Sequence, residues 1–276
     1  MSPYSSNIAA SGPRHKRRLI ALIVLSAAVI ILAIVYQKIM SSHANALWSI
    51  VRRCVIGSQA NRNPAPCASV DSAEGFVIYK DLTGNTQYLI LPTSKITGIE
   101  SPAAWAPDAP NYFAQAWTAT ELIDQKLHRT LPRTDFALAI NSISGRTQNQ
   151  LHIHVDCIQP DDKSVLEHVS AGIGTSWQPL PVKLSGHQYR AMWLPGSMLG
   201  QRNPFQLLAS SLTNPATEMG GHTLVLVGAE RNGQDGFILL DGKAPDWAVT
   251  IAPLIKLGFG SGEELEDHSC RIANAS

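Results

Sequence analysis

The segment NSISGRTQNQLHIHVDC, residues 141–157, constrains this chain more than any other. Two histidines stand two residues apart in an alternating polar and apolar run, just after a polar turn that contains glycine. Alternation at period two is the pattern of a strand, whose successive side chains point to opposite faces. Gln150, His152, His154 and Asp156 therefore share one face, and Leu151, Ile153, Val155 and Cys157 share the other. On the residues alone, the polar face reads in three ways: an imidazole nucleophile with its helper, a pair of metal ligands, or a polar surface without chemistry. Cys157, three residues past His154, suggests zinc, yet it points to the apolar face, which weighs against ligation unless the strand bulges.

The 276 residues, 45% hydrophobic and 16% charged, suffice for a core of one large or two small domains. With 22 Lys and Arg against 21 Asp and Glu, the formal charge is +1. The only dense basic run is at residues 14–18, so nothing points to nucleic acid as a partner. That run abuts LIALIVLSAAVIILAIVY, residues 19–36, which carries no charge. At about 1.5 Å per residue, such a helix is about 27 Å long, close to the thickness of the hydrocarbon layer. Basic residues before the span hold the amino terminus in the cytoplasm and send the rest across the membrane. A cleaved signal peptide is the rival, because ANA at residues 44–46 resembles a cleavage site. The apolar run is longer than a usual signal core and the site lies well beyond it, which favours a retained anchor.

An exported domain with four cysteines, Cys54, Cys67, Cys157 and Cys270, is expected to be oxidised, and three pairings are open. The favoured one joins Cys54 to Cys67, closing a short proline-containing loop, and Cys157 to Cys270, tying the tail to the histidine strand. Cys157 as a buried thiol is the alternative.

Residues 1–18 read as a cytoplasmic tail, 19–36 as the anchor, 37–73 as a linker with the Cys54–Cys67 loop, 74–160 as the catalytic core and 161–276 as an extension. Strands are expected near 76–79, 87–91, 136–141 and 150–158, with a helix over 112–128. The extension predicts a helix from about 162, a strand at 189–193, a helix at 204–212 and a hairpin joining TLVLVGAE to GFILLDG through RNGQD. The fold class is α+β, an antiparallel sheet with helices. The extension's element order resembles the core without its histidines, so a degenerate second half and a lid or lipid platform both stay open.

GRTQNQLHIHV resembles the signature of the histidine triad superfamily, in which a small polar turn leads into alternating histidine and apolar residues on a strand. EGFVIYKDLTGNTQYLILPTSKI, residues 74–96, is similar to that family's first hairpin, and residues 111–130 to the helix that follows it. More narrowly, the chain resembles the CDP-diacylglycerol pyrophosphatases of bacterial inner membranes. It shares with them a membrane-spanning amino terminus, NPAPC at 63–67, LAINS at 138–142, GRTQN at 145–149, HIH followed by cysteine, and DHSC at 267–270. This resemblance spans roughly residues 19–272.

The resemblance implies a histidine-triad-like sheet and hydrolysis of CDP-diacylglycerol to CMP and phosphatidate at the periplasmic side of the inner membrane. It maps the attacking imidazole to His152, the third histidine to His154 and a phosphate-contacting position to Asn141. The chain departs from the superfamily at Gln150, where the first histidine would stand, and at Lys95, where many members have histidine. His154 is suited to contact the phosphate or the leaving oxygen. The turn of Gly145, Arg146 and Thr147 is suited to offer backbone N–H groups and the Thr147 hydroxyl. Arg146 and Lys95 are cations suited to screen a diphosphate, or else solvated surface charges.

No metal or other cofactor is required by this chemistry, because a phosphate monoester leaves readily and positioning matters more. The partners implied are the lipid substrate and the bilayer. Another nucleotide diphosphate as substrate of a hydrolase or nucleotidyl transferase, and a non-catalytic nucleotide- or lipid-binding protein, are the alternatives. His128 and His168 read as surface residues, His187, His222 and His268 as boundary residues, with His268 brought close to His154 if Cys157 pairs with Cys270. Trp105, Trp117 and residues 252–260 read as core packing before they read as acyl-chain contacts.

Overall fold

The computed structural model describes residue 20 and residues 22–31, 43–252 and 258–274, in two units, Met1–Ala44 and Asn45–Ser276. The anchor expected at 19–36 lies partly outside the described residues. Ile20 and residues 22–31 are helical with exposed side chains, and no helix among the described residues is long and apolar enough to cross a membrane.

In the second unit the alternating runs pair into one antiparallel sheet. Its strands are β1 (Ser69–Asp71), β2 (Phe76–Lys80), β3 (Tyr88–Pro92), β4 (Phe136–Ile140), β5 (Ile153–Ile158), β6 (Gln178–Leu184), β7 (His187–Pro195), β8 (His222–Arg231), β9 (Gln234–Lys243) and the short β10 (Glu266–Asp267). The order is β1-β2-β3-β5-β4-β8-β9-β7-β6, with β10 paired to the end of β5. The histidine strand β5 is thus flanked by β3 and β4, with Leu89 and Ala139 opposite His154. It begins at Ile153 rather than at Gln150: residues 150–152 leave the ladder, and Leu151 N–H instead donates to the Ile96 carbonyl.

The order also contains a repetition. The first hairpin, a helical connection and the second hairpin give β2-β3-β5-β4, and the extension gives β6-β7-β9-β8 by the same path. The two sets meet at β4 and β8, where Leu138 faces Leu226. The expected helix over 112–128 is two helices, α2 (Tyr112–Thr118) and α3 (Thr120–Leu127), interrupted at Ala119. In the extension its counterpart is α5 (Pro204–Ala209), preceded in the chain by α4 (Pro160–Val169).

The helical connections pack side by side on one face of the sheet. Phe113 and Phe205, both fully buried, stand with ring centroids 5.0 Å apart. Asn111 accepts from the Ala114 N–H and donates to the Leu199 carbonyl, while Asn203 accepts from the Phe205 N–H and donates to the Pro110 carbonyl. Each asparagine therefore caps its own helix and holds the chain that leads into the other. Leu151, Ile153, Val155 and Cys157 pack into this helical layer, as their alternation requires. Trp117 joins it edge-on to Phe136 and Phe237. Trp105 packs against the same cluster, and residues 253–257 lie outside the described residues.

The linker expected at 37–73 holds a 16-residue helix, α1 (Ala46–Asn61). Leu47, Val51 and Cys54 recur at helical spacing and bury against Val77, Tyr79, Leu89 and Leu91 on the sheet face opposite the helical layer. The asparagines and prolines at 61–66 end it. Arg62 turns left-handed, its N–H donating to the Ser58 carbonyl and the Asn63 N–H to the Gly57 carbonyl. Both favoured disulfides, Cys54–Cys67 and Cys157–Cys270, are present.

Candidate active site

His152 and His154 lie on the sheet face that α1 shares, between α1 and the cluster formed by Leu166 of α4, Leu265 and the β7–β9 side chains. Both are buried, at 7% and 5% exposure, with ring centroids 4.9 Å apart. The roof over them is the carboxyl-terminal segment, residues 258–274. It is fastened at several points. Asn141 accepts from the N–H groups of Gly262 and Glu263, the hydroxyls of Ser142 and Ser144 donate to the Phe259 carbonyl, and β10 pairs with β5.

The backbone decides how His152 is used. Because residues 150–152 have left the ladder, the Gln150 carbonyl is free to accept from His152 Nδ1–H at 2.6 Å. That bond places the proton of the neutral ring on Nδ1 and leaves a lone pair on Nε2. Burial, with the neighbouring His154 and Arg146 opposing the help of Gln150 and Glu263, lowers the affinity of His152 for a second proton to about 4. The ring is therefore neutral near pH 7.

His154 meets a cluster. Gln87 of the turn before β3 donates to His154 Nδ1 at 3.1 Å, and Glu263 Oε1 stands 3.4 Å from the same nitrogen. His154 Nε2 is buried without a hydrogen-bond partner among the described residues. Buried polar atoms are normally paired. Here the missing partner is one that a phosphate oxygen can supply.

Behind His154, His268 Nδ1–H donates to Asp156 Oδ2 at 3.0 Å, and His268 Nε2 lies 3.4 Å from Glu263 Oε1. Two carboxylates against one ring hold His268 protonated, up to about 10. Asp156, fully buried, also accepts from the Thr86 hydroxyl and the Cys157 N–H. Glu263 is held far below the usual carboxylate range by His268, His154, Gln87 and Asn141 against the cost of burial. Glu266, fully enclosed and facing Asp156 and Glu263, is pushed well above it by burial and by those two carboxylates.

The other expected site residues are placed around this centre with different tasks. Gln150 turns its amide away to donate to the Pro92 and Ser94 carbonyls, which fixes the run that carries His152. Asn141 spends its side chain on the roof, its amide donating to Glu263 Oε2. The Gly145 and Arg146 N–H groups donate to Ser142, so these two are not turned outward to an anion. Arg146 is buried in a two-pronged pair with Glu100, both contacts at 2.6 Å, and Gly98 leaves room for its guanidinium. Thr147 is exposed. Lys95 is exposed as well, on the loop whose neighbouring carbonyls, Ser94 and Ile96, hold Gln150 and Leu151.

Sequence reasoning left Gln87, Glu263 and Glu266 unassigned, gave Asp156 only its face, and gave His268 no role. The DHSC segment was the one signal for the roof. Of the other histidines, His128 and His168 are exposed, whereas His222 is buried against Asp241. Among the described residues no group of three or more His, Cys, Asp or Glu side chains is arranged to hold a metal ion. A family model described as CDP-diacylglycerol pyrophosphatase matches residues 42–274, most of the chain.

Proposed function

The chain belongs to the CDP-diacylglycerol pyrophosphatase family and hydrolyses CDP-diacylglycerol to CMP and phosphatidate, and we propose that it does so through a CMP-histidine intermediate on His152. The observation that carries this reading is the Gln150 carbonyl on His152 Nδ1 of a buried, neutral ring. It aims one lone pair, on Nε2, away from the backbone.

Attack of Nε2 on the cytidylyl phosphorus forms a P–N bond and releases phosphatidate. The modified ring keeps its Nδ1 proton and becomes cationic, which strengthens the bond to Gln150 O. Water then displaces CMP from Nε2. His154 Nε2 lies beside this path and pairs with a phosphate oxygen. Two in-line displacements give net retention at phosphorus. Rapid acid-free quenching of a reaction with CMP-labelled substrate is expected to trap label on His152, and a high concentration of alcohol is expected to divert part of the CMP into an ester. Net inversion with a chiral phosphorus substrate, together with no trapped label, sinks the covalent role.

The repeated order β2-β3-β5-β4 and β6-β7-β9-β8 supports reading the domain as two histidine-triad-like halves, of which only the first carries the histidines. In the second half the strand β9 presents Ile238 and Leu240 to the sheet face that His154 occupies in the first, so that face is packed rather than reactive.

Residues 19–36 are proposed as a retained anchor in a bacterial inner membrane, with the catalytic unit in the periplasm. Two disulfides suit that oxidising side. A tethered site meets a substrate that cannot readily leave the bilayer more often than a free one does. The exposed pair Trp247 and Phe259, 5.1 Å apart, with Phe259 on the segment that Ser142 and Ser144 hold, suits the bilayer interface. A membrane-impermeant protease added to spheroplasts is expected to cut after residue 40 and to spare the segment before residue 18. Cutting of the catalytic unit only after lysis overturns the orientation.

A further inference from the structure

A diphosphate site is an unexpected place for a cluster of acids, since anions near a phosphate raise the energy of the bound substrate. The groups around His154 are Asp156 and His152 on its own strand run, Glu263, Glu266 and His268 on the roof, and Arg146 beyond His152. Arg146 is neutralised by Glu100, burial beside two other carboxylates favours the neutral acid at Glu266, and the charged His268 balances the Asp156 carboxylate at 3.0 Å. Glu263 is left as the one carboxylate without a full counter-charge. Its Oε1 lies 3.4 Å from His154 Nδ1, and its Oε2 is fixed by the Asn141 amide. A proton on His154 supplies the missing charge.

We propose that Glu263 is a positioning residue that, with His268 behind it, makes His154 the proton carrier of the reaction. This rests on the hydrolysis described above but not on which atom attacks. When the diphosphate binds, its negative charge and that of Glu263 face opposite ends of the His154 ring and favour the imidazolium: Nδ1 gives up the bond it accepts from Gln87 and donates its new proton to Glu263 Oε1, and Nε2–H donates to the bridging oxygen. As the bond from phosphorus to phosphatidate breaks, the Nε2 proton passes to the departing oxygen. In the second step water attacks, the P–N bond breaks, the electron pair returns to His152 Nε2, and the water proton returns to His154. Protons and charge balance over the cycle without a further reactant. The roof thereby becomes part of the chemistry, and this explains why Asn141, Asp156, Gln87 and the Cys157–Cys270 bond all converge on it.

The alkaline limb of kcat should then report the His154 proton. Burial and the positive His268 lower the proton affinity of His154, and Glu263 raises it. Glu263→Gln removes the anion, so the limb should move to lower pH, with kcat on the alkaline side falling by about 10²-fold. His268→Gln removes the cation, so the limb should move to higher pH. Opposite displacements are not produced by simple loosening of the roof. Limbs that stay in place, or that move together, in variants whose disulfides remain intact overturn the proposal.

A measurement on the unmodified protein guards against variants that fail to fold. The His154 ring, followed by NMR with and without a non-hydrolysable phosphonate analogue of the substrate, should bind its second proton at higher pH in the complex. An unchanged His154 titration overturns the proposal. Absence of a CMP-histidine adduct strikes only the nucleophile assignment, since the limb is read on hydrolysis itself.

Discussion

His152 and His268 are two imidazoles in one cluster with opposite electrostatics, and the difference lies in what their neighbours supply. His152 has a backbone carbonyl and no carboxylate in hydrogen-bond contact, so burial dominates, His154 adds to it, and the proton affinity falls to about 4. His268 has two carboxylates and rises to about 10. Because the proposed attack by His152 needs its lone pair free, kcat/KM is expected to hold down to mildly acidic pH and to fall as pH drops through about 4. A loss centred near the ordinary histidine value of about 6.5 would contradict this.

Stability carries the same two signs. The contribution of His152, depressed on folding, is present above its unfolded value of 6.5 and is lost as pH falls toward about 4. That of His268, raised on folding, is fully present below 6.5 and is lost as pH rises through about 10. Thermal unfolding of His268→Gln should therefore show a flatter alkaline side than the unmodified protein. An alkaline side of unchanged slope would remove His268 from that account.

Elements are joined here by reciprocal contacts between the two halves. Asn111 and Asn203 cap α2 and α5, and each reaches across to the chain entering the other helix. Asn111→Ala and Asn203→Ala should each cost about 1–2 kcal/mol, a lost cap plus a lost hydrogen bond to a carbonyl. Since both stand at one seam, the double variant should depart from additivity by about 0.5 kcal/mol or more in denaturant unfolding. Strict additivity would mean that the two caps act on separate seams. Within the second half, Asp241 ties β9 to β7 and β8 by accepting from Arg190 and His222. Asp241→Ala leaves those donors facing a buried gap and should cost about 3 kcal/mol.

Across the whole molecule the two disulfides differ in reach. Cys157–Cys270 spans 113 residues and closes nearly the entire extension back onto the histidine strand, whereas Cys54–Cys67 spans 13. Loop-closure entropy favours the longer span, at about 4.7 kcal/mol for a loop of order 100 residues against about 3 kcal/mol for one of about 15. Replacing both Cys157 and Cys270 by serine should therefore lower the melting temperature more than replacing Cys54 and Cys67. The first change should also lower turnover, because it releases the segment that bears Glu263 and His268. Equal loss of turnover from both pairs would count against a special role for the roof.

The sequence by itself determined what depends on local periodicity. Alternation around His152 and His154 assigned their shared face, the first hairpin was read within a residue of its ends, the second likewise except that the histidine strand was begun three residues early, and the cysteine pairs were named correctly. Helix α1 was hidden because its buried stripe of Leu47, Val51 and Cys54 is blurred by the neighbouring apolar residues Trp48, Ile50, Val55 and Ile56, and the prolines and asparagines after it read as linker. The interruption of the histidine strand at residue 153 was hidden as well, since period two is unchanged where the chain leaves the ladder. Only the tertiary structure decided that the Gln150 carbonyl holds His152, that Asn141 and Gln150 serve the backbone around the site, and that Glu263 reaches His154 across 109 positions of sequence. Such contacts depend on how the tail crosses the sheet, and a carboxylate in a polar tail looks the same in sequence whether it meets water or a buried imidazole.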